Sequence, residues 1–596
     1  MTNPLLSDRN VDFLLNEVLD LEGLLKVPFF QEHSRETCDL FLGSCRKLAR
    51  DVLFPSYRRL DAEPPVLKDG AVLVHPLLKE ILPRMVELGL LNASRPSAVG
   101  GQQLPMTVAS IASAYLMAGN LSAYGYLGLT SGAARLLESF GDSALQEQFM
   151  ERMYNGEWTG TMALTEPQAG SSLSDVVTRA TPKGDYYAIQ GSKIFISGGD
   201  QDITENVVHL TLARIDGAPP GIKGVSLFAI PKKRWENGAL TDNDVRVAGL
   251  IHKIGWRGLP SLALNFGEDG DCRGWLVGEP HRGIYYMFQM MNEARLMVGW
   301  NGIATASVAY FEACDYAQQR PQGRPLTAKD PTTPQVPIIE HADVRRMLLR
   351  QKAIVEGGIA LLATTARYYD LAEHAPDATE RDEAKLLLEL LTPVAKTFPA
   401  ERGFEANALA VQVHGGYGYS SEYLPEAWLR DQKLNSLHEG TSGIQSLDLL
   451  GRKVIAGGGR ALSLLQREIA STVRQAHEAG VNAEQTGRLE GAQAALVTTT
   501  MHLGELGMSG RVEEMMRHSY DYLDLFSVVV IGWQWLAQAA AAQRGLNEGR
   551  GPAEFYQGKL CAAQYWLSTE LPRVGYLAAL CRTGEDSYAR MQPGWF

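Results

Sequence analysis

Glu439-Gly440-Thr441-Ser442 is the stretch of this chain best suited to acid–base chemistry. Ser442 and Gln445 have the Ser-x-x-Gln spacing of a capping box, and Ile444, Leu447 and Leu450 recur on one helical face, so a helix is expected to start near Gly443. Glu439 then stands just ahead of a helix N-terminus, where two effects oppose each other. The helix dipole favours the charged carboxylate by about 0.3–1 kcal/mol, rising to ~2 kcal/mol when the group is partly buried. Burial against apolar surface can raise a carboxyl pKa by as much as ~3–5 units. In a closed site burial wins, and the group becomes a base tuned upward toward neutral pH. Standing alone, a Glu beside a helix start is ordinarily a dipole-favoured surface charge.

Other chemistries find little support. There is no G-x-G-x-x-G opening a helix after a strand, no G-K-[ST] phosphate loop, no nucleophile elbow and no metal-ligand cluster. Cys38, Cys45, Cys272, Cys314, Cys561 and Cys581 show no C-x-x-C spacing, so neither a disulfide framework nor a zinc site is indicated and a reducing compartment fits. Lys and Arg number 56 against 68 Asp and Glu, a net charge of −12 that disfavours a nucleic-acid footprint but leaves room for a local basic patch. The amino terminus carries Asp8, Arg9, Asp12, Glu17 and Asp20, unlike a signal or transit peptide, and a cytoplasmic protein is expected. Leu525 to Gln543 has no charge, but Ser527, Gly532, Gln534 and Gln538 interrupt it. A buried helix is expected there rather than a membrane span, and peripheral membrane contact stays compatible with the composition.

The elements that must position these groups change period along the chain. At 596 residues the length exceeds one ordinary core, suggesting about three or four domains. Residues 1–35 read as an amphipathic helical arm and 36–158 as a helical domain. In 159–283 short strands follow one another, Tyr186–Ile189 and Lys193–Ser197 about a turn at Gly191-Ser192, then Val207–Ile215, Val225–Pro231, Val245–Ile251 and Leu262–Phe266. Gly, Asp and Asn turns without intervening helices indicate an antiparallel sheet or barrel. In 284–455 the helical period returns with Tyr285 to Arg320, a loop with five prolines, then Glu340–Ala372 and Arg381–Val413. With the Gly443 helix these form an expected four-helix bundle. Ala456-Gly-Gly-Gly-Arg460 reads as a linker to an extra helical domain at 461–596, and the class is α+β.

Glu439-Gly440-Thr441-Ser442, together with Gln412-Val-His-Gly-Gly-Tyr-Gly418 and Leu429-Arg-Asp431, resembles the C-terminal signature of the acyl-CoA dehydrogenases. Met162-Ala-Leu-Thr-Glu-Pro-Gln-Ala-Gly-Ser171 is similar to that family's first β-domain signature, and Lys193-Ile-Phe-Ile-Ser197 to its second flavin-contacting strand. The resemblance runs over about residues 40–455. The length, the arm and the extension look most like the long bacterial branch that includes methylthiopropanoyl-CoA dehydrogenases and some fatty acyl-CoA dehydrogenases.

The resemblance implies FAD as cofactor, held by Met162, Leu164, Thr165 and Ser171, by Phe195 and Ser197 near the flavin ring, and by Thr441 and Gly443. It also implies cross-subunit contacts from Arg320, Gln412 and Gly416, hence a homodimer. Arg320-Pro-Gln-Gly323 is one residue shorter than the matching family turn and lacks its Phe. Ser171, Arg295, His438 and Gly440 are the implied contacts to an acyl-CoA substrate, with His438 replacing the branch's usual Tyr. Glu439 is the implied catalytic base, taking the α-proton of the thioester while the β-hydride goes to flavin N5 and gives a trans-2-enoyl-CoA. Electrons would pass on to an electron-transfer flavoprotein. Competing implications are an oxidase that yields hydrogen peroxide, a flavin-containing nucleic-acid-binding relative of the alkylation-response kind, which the acidic balance opposes, and a non-catalytic assembly partner, which the retained Glu439 opposes.

Overall fold

The computed structural model describes residues 3–596, apart from the side chains of residues 289–291. The chain forms two compact units. One comprises the residues up to Arg35 together with Arg295–Phe596, and the other is Glu36–Ala294.

In the Glu36–Ala294 unit, the helices Met106–Gly119 and Leu121–Phe140 are buried along most of their length. Asn120 separates them with an extended backbone, and its Oδ1 accepts from Ala123 N at 3.1 Å, satisfying one of the unpaired donors at the second helix's start. The second helix lies on strand β1 (Thr159–Ala163) at Gly160, where a Cβ would sit 2.6 Å from both Ala133 Cβ and Met153 Sδ. Glycine permits that approach.

The sheet continues with β2 (Arg179–Pro182), β3 (Tyr187–Ser197), β4 (Val207–Ile215), β5 (Val225–Pro231), β6 (Val245–Leu250), β7 (Ser261–Phe266) and β8 (Arg273–Leu276). The strand order is β6-β7-β3-β8-β5-β4-β1, and β2 pairs with both β3 and β4. Most pairs are antiparallel as expected, but β1 and β2 each run parallel to β4. Every residue of β5 is buried, so this strand reads as a continuous apolar run without alternation. The turn expected at Gly191-Ser192 is instead the middle of the eleven-residue β3. Gly191 serves a different purpose there: a Cβ would meet Thr178 Oγ1 at 2.5 Å, so its absence lets the neighbouring strand close in.

In the other unit, the long helices Ala342–His374 and Ala378–His414 start and end within three residues of the expected bounds. They pack with the Gly283–Gln319 helix, which belongs to this unit from Arg295 onward. The Ser442–Asp448 helix is short and runs into a wider turn, Leu449–Lys453. The expected bundle of four is completed by a fifth helix, Ser519–Glu548, whose apolar window is long enough for a membrane span but is 94% buried, as befits a core helix. Trp535 Nε1 donates to Ala353 O at 3.0 Å, and a Cβ at Gly357 would stand 2.8 Å from that indole nitrogen. The arm docks here too, with Asn3 Nδ2 donating to Val308 O at 2.9 Å and Arg9 Nη2 to Tyr556 Oη at 2.9 Å. All six cysteines are free thiols.

Candidate active site

Glu439 sits in the loop before Ser442–Asp448 with φ 53°, a left-handed conformation that is uncommon for a residue with a side chain. Such backbone strain costs of order 1–3 kcal/mol and persists only where its surroundings hold it. Gln445 supplies the hold: its Nε2 donates to Glu439 O at 3.1 Å and to Gly440 O at 3.3 Å. Gly440 follows at φ 83°, so two consecutive left-handed residues form the loop.

The cap differs from the sequence reading. Thr441, not Ser442, is the N-cap, its Oγ1 accepting from Ile444 N at 3.3 Å. Ser442 instead donates to Glu401 Oε1 at 2.5 Å, tying this helix to Ala378–His414. The buried face carries Ser442, Gln445 and Ser446, and of the apolar stripe expected from Ile444, Leu447 and Leu450 only Leu450 is fully packed, Ile444 being half-buried and Leu447 exposed. Polar pairing turned the helix. One example is the hydroxyl contact of Ser446 with Ser519 at 3.1 Å.

Electrostatically, the Glu439 carboxyl is raised above its ordinary pKa by burial, which outweighs the opposing fields of Arg295 and Lys396. His438 moves the other way: burial, reinforced by Lys396, drives its imidazole down to about 3. At neutral pH His438 is uncharged and a poor proton acceptor, whereas Glu439 is a strengthened base. Arg295 is 4% exposed, and its Nη1 is ion-paired to Asp448 Oδ2 at 2.8 Å. Asp448 also holds Arg452 at 2.7 Å. The structure thus commits Arg295 to a carboxylate at the end of the Ser442–Asp448 helix.

In the same unit, Arg320 and Gly416 meet at an open cavity of about 520 Å³ that Tyr316, His414, Tyr417 and Glu422 also line. Arg320 lies over the Tyr417 ring at 5.7 Å. Neither Gly415 nor Gly416 has any atom within 4 Å of where a Cβ would be, so the backbone there is open to a ligand. Gln412 is exposed on the same helix end and its carbonyl accepts from Gly415 N. Thr441 and Gly443 lie outside this lining, at the cap beside Glu439.

In the Glu36–Ala294 unit the structure brings the two sheet motifs together. Thr161 Oγ1 donates to Ser197 O at 2.6 Å, and Ile194 N to Thr165 O at 2.9 Å. Met162, Leu164, Thr165 and Ser197 are half-buried, and Ser171 is exposed on the loop before β2. Phe195 is 61% exposed at φ 61°, where the pairing of β3 with β7 slips by one residue. A bulge of this kind re-aims a side chain away from the sheet. Phe195 is therefore not strand core.

Sequence reasoning missed the buried groups that hold these positions. Glu166 is braced by Lys193 Nζ at 2.8 Å, Thr178 Oγ1 at 2.5 Å and Val177 N at 2.7 Å, and it anchors the loop that carries Ser171. Burial alone would raise the Glu166 carboxyl, but Lys193, Thr178 and Val177 together hold it well below the usual range, so the pair is ionised. Lys396 was missed as well, although a lone lysine in the apolar run Leu390 to Phe398 was a visible signal.

Family models described as "Acyl-CoA dehydrogenase, N-terminal domain", "middle domain" and "C-terminal domain" match residues 35–157, 161–268 and 281–454. A fourth, "Acetyl-CoA dehydrogenase C-terminal like", matches 465–592. The 3-methylmercaptopropionyl-CoA dehydrogenase of Ruegeria pomeroyi is 40% identical over 511 residues, covering 84% of this chain and 85% of that protein. The broad-specificity linear acyl-CoA dehydrogenase FadE5 of Mycobacterium tuberculosis is 33% identical, covering 95% of each. Among solved structures, an acyl-CoA dehydrogenase from Bacillus anthracis complexed with FAD superposes with a TM-score of 0.74 at 18% identity, covering 99% of this chain and 95% of that one, which shows the shared fold. Matched in order by all four domains and by relatives across most of its length, the chain belongs to the acyl-CoA dehydrogenase family of FAD-dependent oxidoreductases.

Proposed function

We propose that this chain dehydrogenates an acyl-CoA thioester to the trans-2-enoyl-CoA, with Glu439 as the base that removes the α-proton. The observation that carries this reading is the state of Glu439: a strained, clamped loop presents a carboxylate that accepts no hydrogen bond among the described residues and whose pKa is raised. A proton taken up there rests on a group whose burial already favours the neutral acid. The neutral His438 beside it does not compete for that proton. The Glu439 N–H also donates to no other group among the described residues, which leaves it available to the thioester carbonyl as negative charge gathers there.

The residues fit FAD. The open backbone at Gly415 and Gly416 beside Arg320 suits a pyrophosphate-bearing group, and the outward Phe195 ring, with the Thr165 and Ser197 stretches, suits an aromatic ring system. When bound, FAD supplies the acceptor for the β-hydride. We propose a cytoplasmic homodimer that gives its electrons to an electron-transfer flavoprotein, a reading supported by the shared family architecture. The names of the two relatives, one acting on a sulfur-containing propionyl thioester and one on linear acyl chains, support acyl-CoA as the substrate class. Anaerobic mixing of the FAD-loaded protein with a panel of acyl-CoAs tests this. Bleaching of the flavin by at least one member is expected, and a yellow protein that none of them bleaches overturns the reading.

A further inference from the structure

The Ala378–His414 helix carries a charge that the reaction above does not use. Lys396 is 0% exposed, and among the described residues its Nζ has no hydrogen-bond partner. Buried polar groups are nearly always paired, so an orphaned ammonium calls for an explanation. Its neighbours are committed elsewhere. Arg295 is taken by Asp448, Asp448 also by Arg452, and Glu401 by Ser442. Among the described residues neither the Lys396 ammonium nor the Glu439 carboxylate makes a hydrogen bond, and each lies in the other's field.

We propose that Lys396 is a positioning residue for Glu439: a counter-charge, held back from hydrogen bonding, that keeps the half-buried carboxylate ionised while leaving its oxygens free for the α-proton. The proposal rests on the reading of Glu439 as the base. Burial raises the Glu439 carboxyl and so favours its neutral, idle form. A direct ion pair would instead hold it ionised but weaken it as a base. A cation at a remove avoids both. Lys396 suits the task because burial lowers its pKa only to about 8, against the supporting fields of Glu401 and Glu439, so it stays cationic at neutral pH. The other charged and titratable groups here are Arg295 on Gly283–Gln319, Glu401 on the lysine's own helix, Asp448 and Arg452 beyond Glu439, and the uncharged His438. From Ser519–Glu548 come Tyr520, which lies in the field of Glu401, with Asp521 and Asp524 beside it.

The test compares FAD-loaded wild type, Lys396→Met and Lys396→Gln in anaerobic flavin reduction by an acyl-CoA that bleaches the wild type, followed across pH. Only ionised Glu439 is active, so the rate rises with pH through its pKa. Removing a nearby cation moves that midpoint upward, and an increase of about one unit is expected, with reduction about tenfold slower below the midpoint and similar to wild type well above it. FAD content and melting temperature should hold or rise, because an unpaired buried charge has been removed. Slowing by the same factor at every pH, or loss of FAD or of the fold in both variants, would show a structural lysine and overturn the proposal. A wild type bleached by no acyl-CoA, or a Glu439→Gln variant bleached as fast as wild type, refutes the base itself and the proposal with it.

Discussion

Two of the wholly buried lysines, Lys193 and Lys396, are held in opposite ways. Lys193 in β3 gives its ammonium three acceptors, Glu166 at 2.8 Å, Leu164 O at 3.1 Å and Leu212 O at 2.7 Å. Lys396 in the Ala378–His414 helix has none among the described residues. A satisfied ammonium acts as a rivet, fixing the Leu164 carbonyl and, through Glu166, the loop at Val177 and Thr178. An unsatisfied one exerts its field without fixing anything. In the proposed reaction the sheet would offer a rigid face to a planar group, whereas the loop at Glu439 would change its charge in each turnover without breaking hydrogen bonds. Each lysine matches the demand of its region.

The largest effect expected comes from the group that Lys396 serves. Glu439→Gln keeps the size and the backbone N–H, so folding, FAD content and acyl-CoA binding should survive. The basic oxygen is lost, and flavin reduction should slow at least ~10⁴-fold, measured by rapid mixing under anaerobic conditions. Reduction near the wild-type rate would place the base elsewhere. Next comes the rivet. Lys193→Met leaves Glu166 ionised, buried and unpaired, and should cost about 3–5 kcal/mol of stability with loss of FAD, read by denaturant unfolding and flavin content. Should Lys193→Met and Lys396→Met prove equally stable, the contrast drawn between the two lysines fails.

The Glu166 rivet also has a pH signature. Its carboxyl is held below the unfolded value, so its contribution is complete above the ordinary Glu pKa and is lost as pH falls from there toward about 2. A loss of order 2–3 kcal/mol over that window is expected in wild type, and Glu166→Gln should lose that part of its acid dependence, as seen in urea unfolding at stepped pH. Equal acid slopes for the two proteins would mean that the pair is not ionised in the native state.

How much of this was legible in the sequence follows from the range of each interaction. The Ala342–His374 and Ala378–His414 helices were readable because their apolar period repeats over many turns. The change of class near Thr159 was readable because strand patterning is local. Gly191 misled, because a glycine between two β-rich runs signals a turn locally, while its real cause, contact with Thr178, is a matter of tertiary packing. Thr441 and Ser442 are adjacent hydroxyl residues, and only the distant Glu401 decides which of them caps. The candidate site residues came from motif resemblance. Glu166 and Asp448 are held by partners far away in sequence and the burial of Lys396 is a tertiary matter, neither of which local spacing encodes.

The smallest effect, and the sharpest control on the comparison, belongs to His438. Its ring is half-buried, and burial with the field of Lys396 brings its pKa down to about 3, so at neutral pH it contributes volume and hydrogen-bonding groups but no charge. Removing it should therefore alter which acyl chain fits beside Glu439 while leaving the ionisation of Glu439 alone. For His438→Ala we expect reduction within about tenfold of wild type for the best acyl-CoA, a changed order of preference across chain lengths, and an unmoved pH midpoint. Lys396→Met is expected to do the reverse, moving the midpoint and leaving the order of preference in place. The two variants alter neighbouring groups of the same site, so a general loosening of the loop would affect both readouts in both proteins. A midpoint that shifts in His438→Ala as far as in Lys396→Met would mean that the imidazole carries charge during turnover, and the counter-charge to Glu439 would then have to be shared between the two residues.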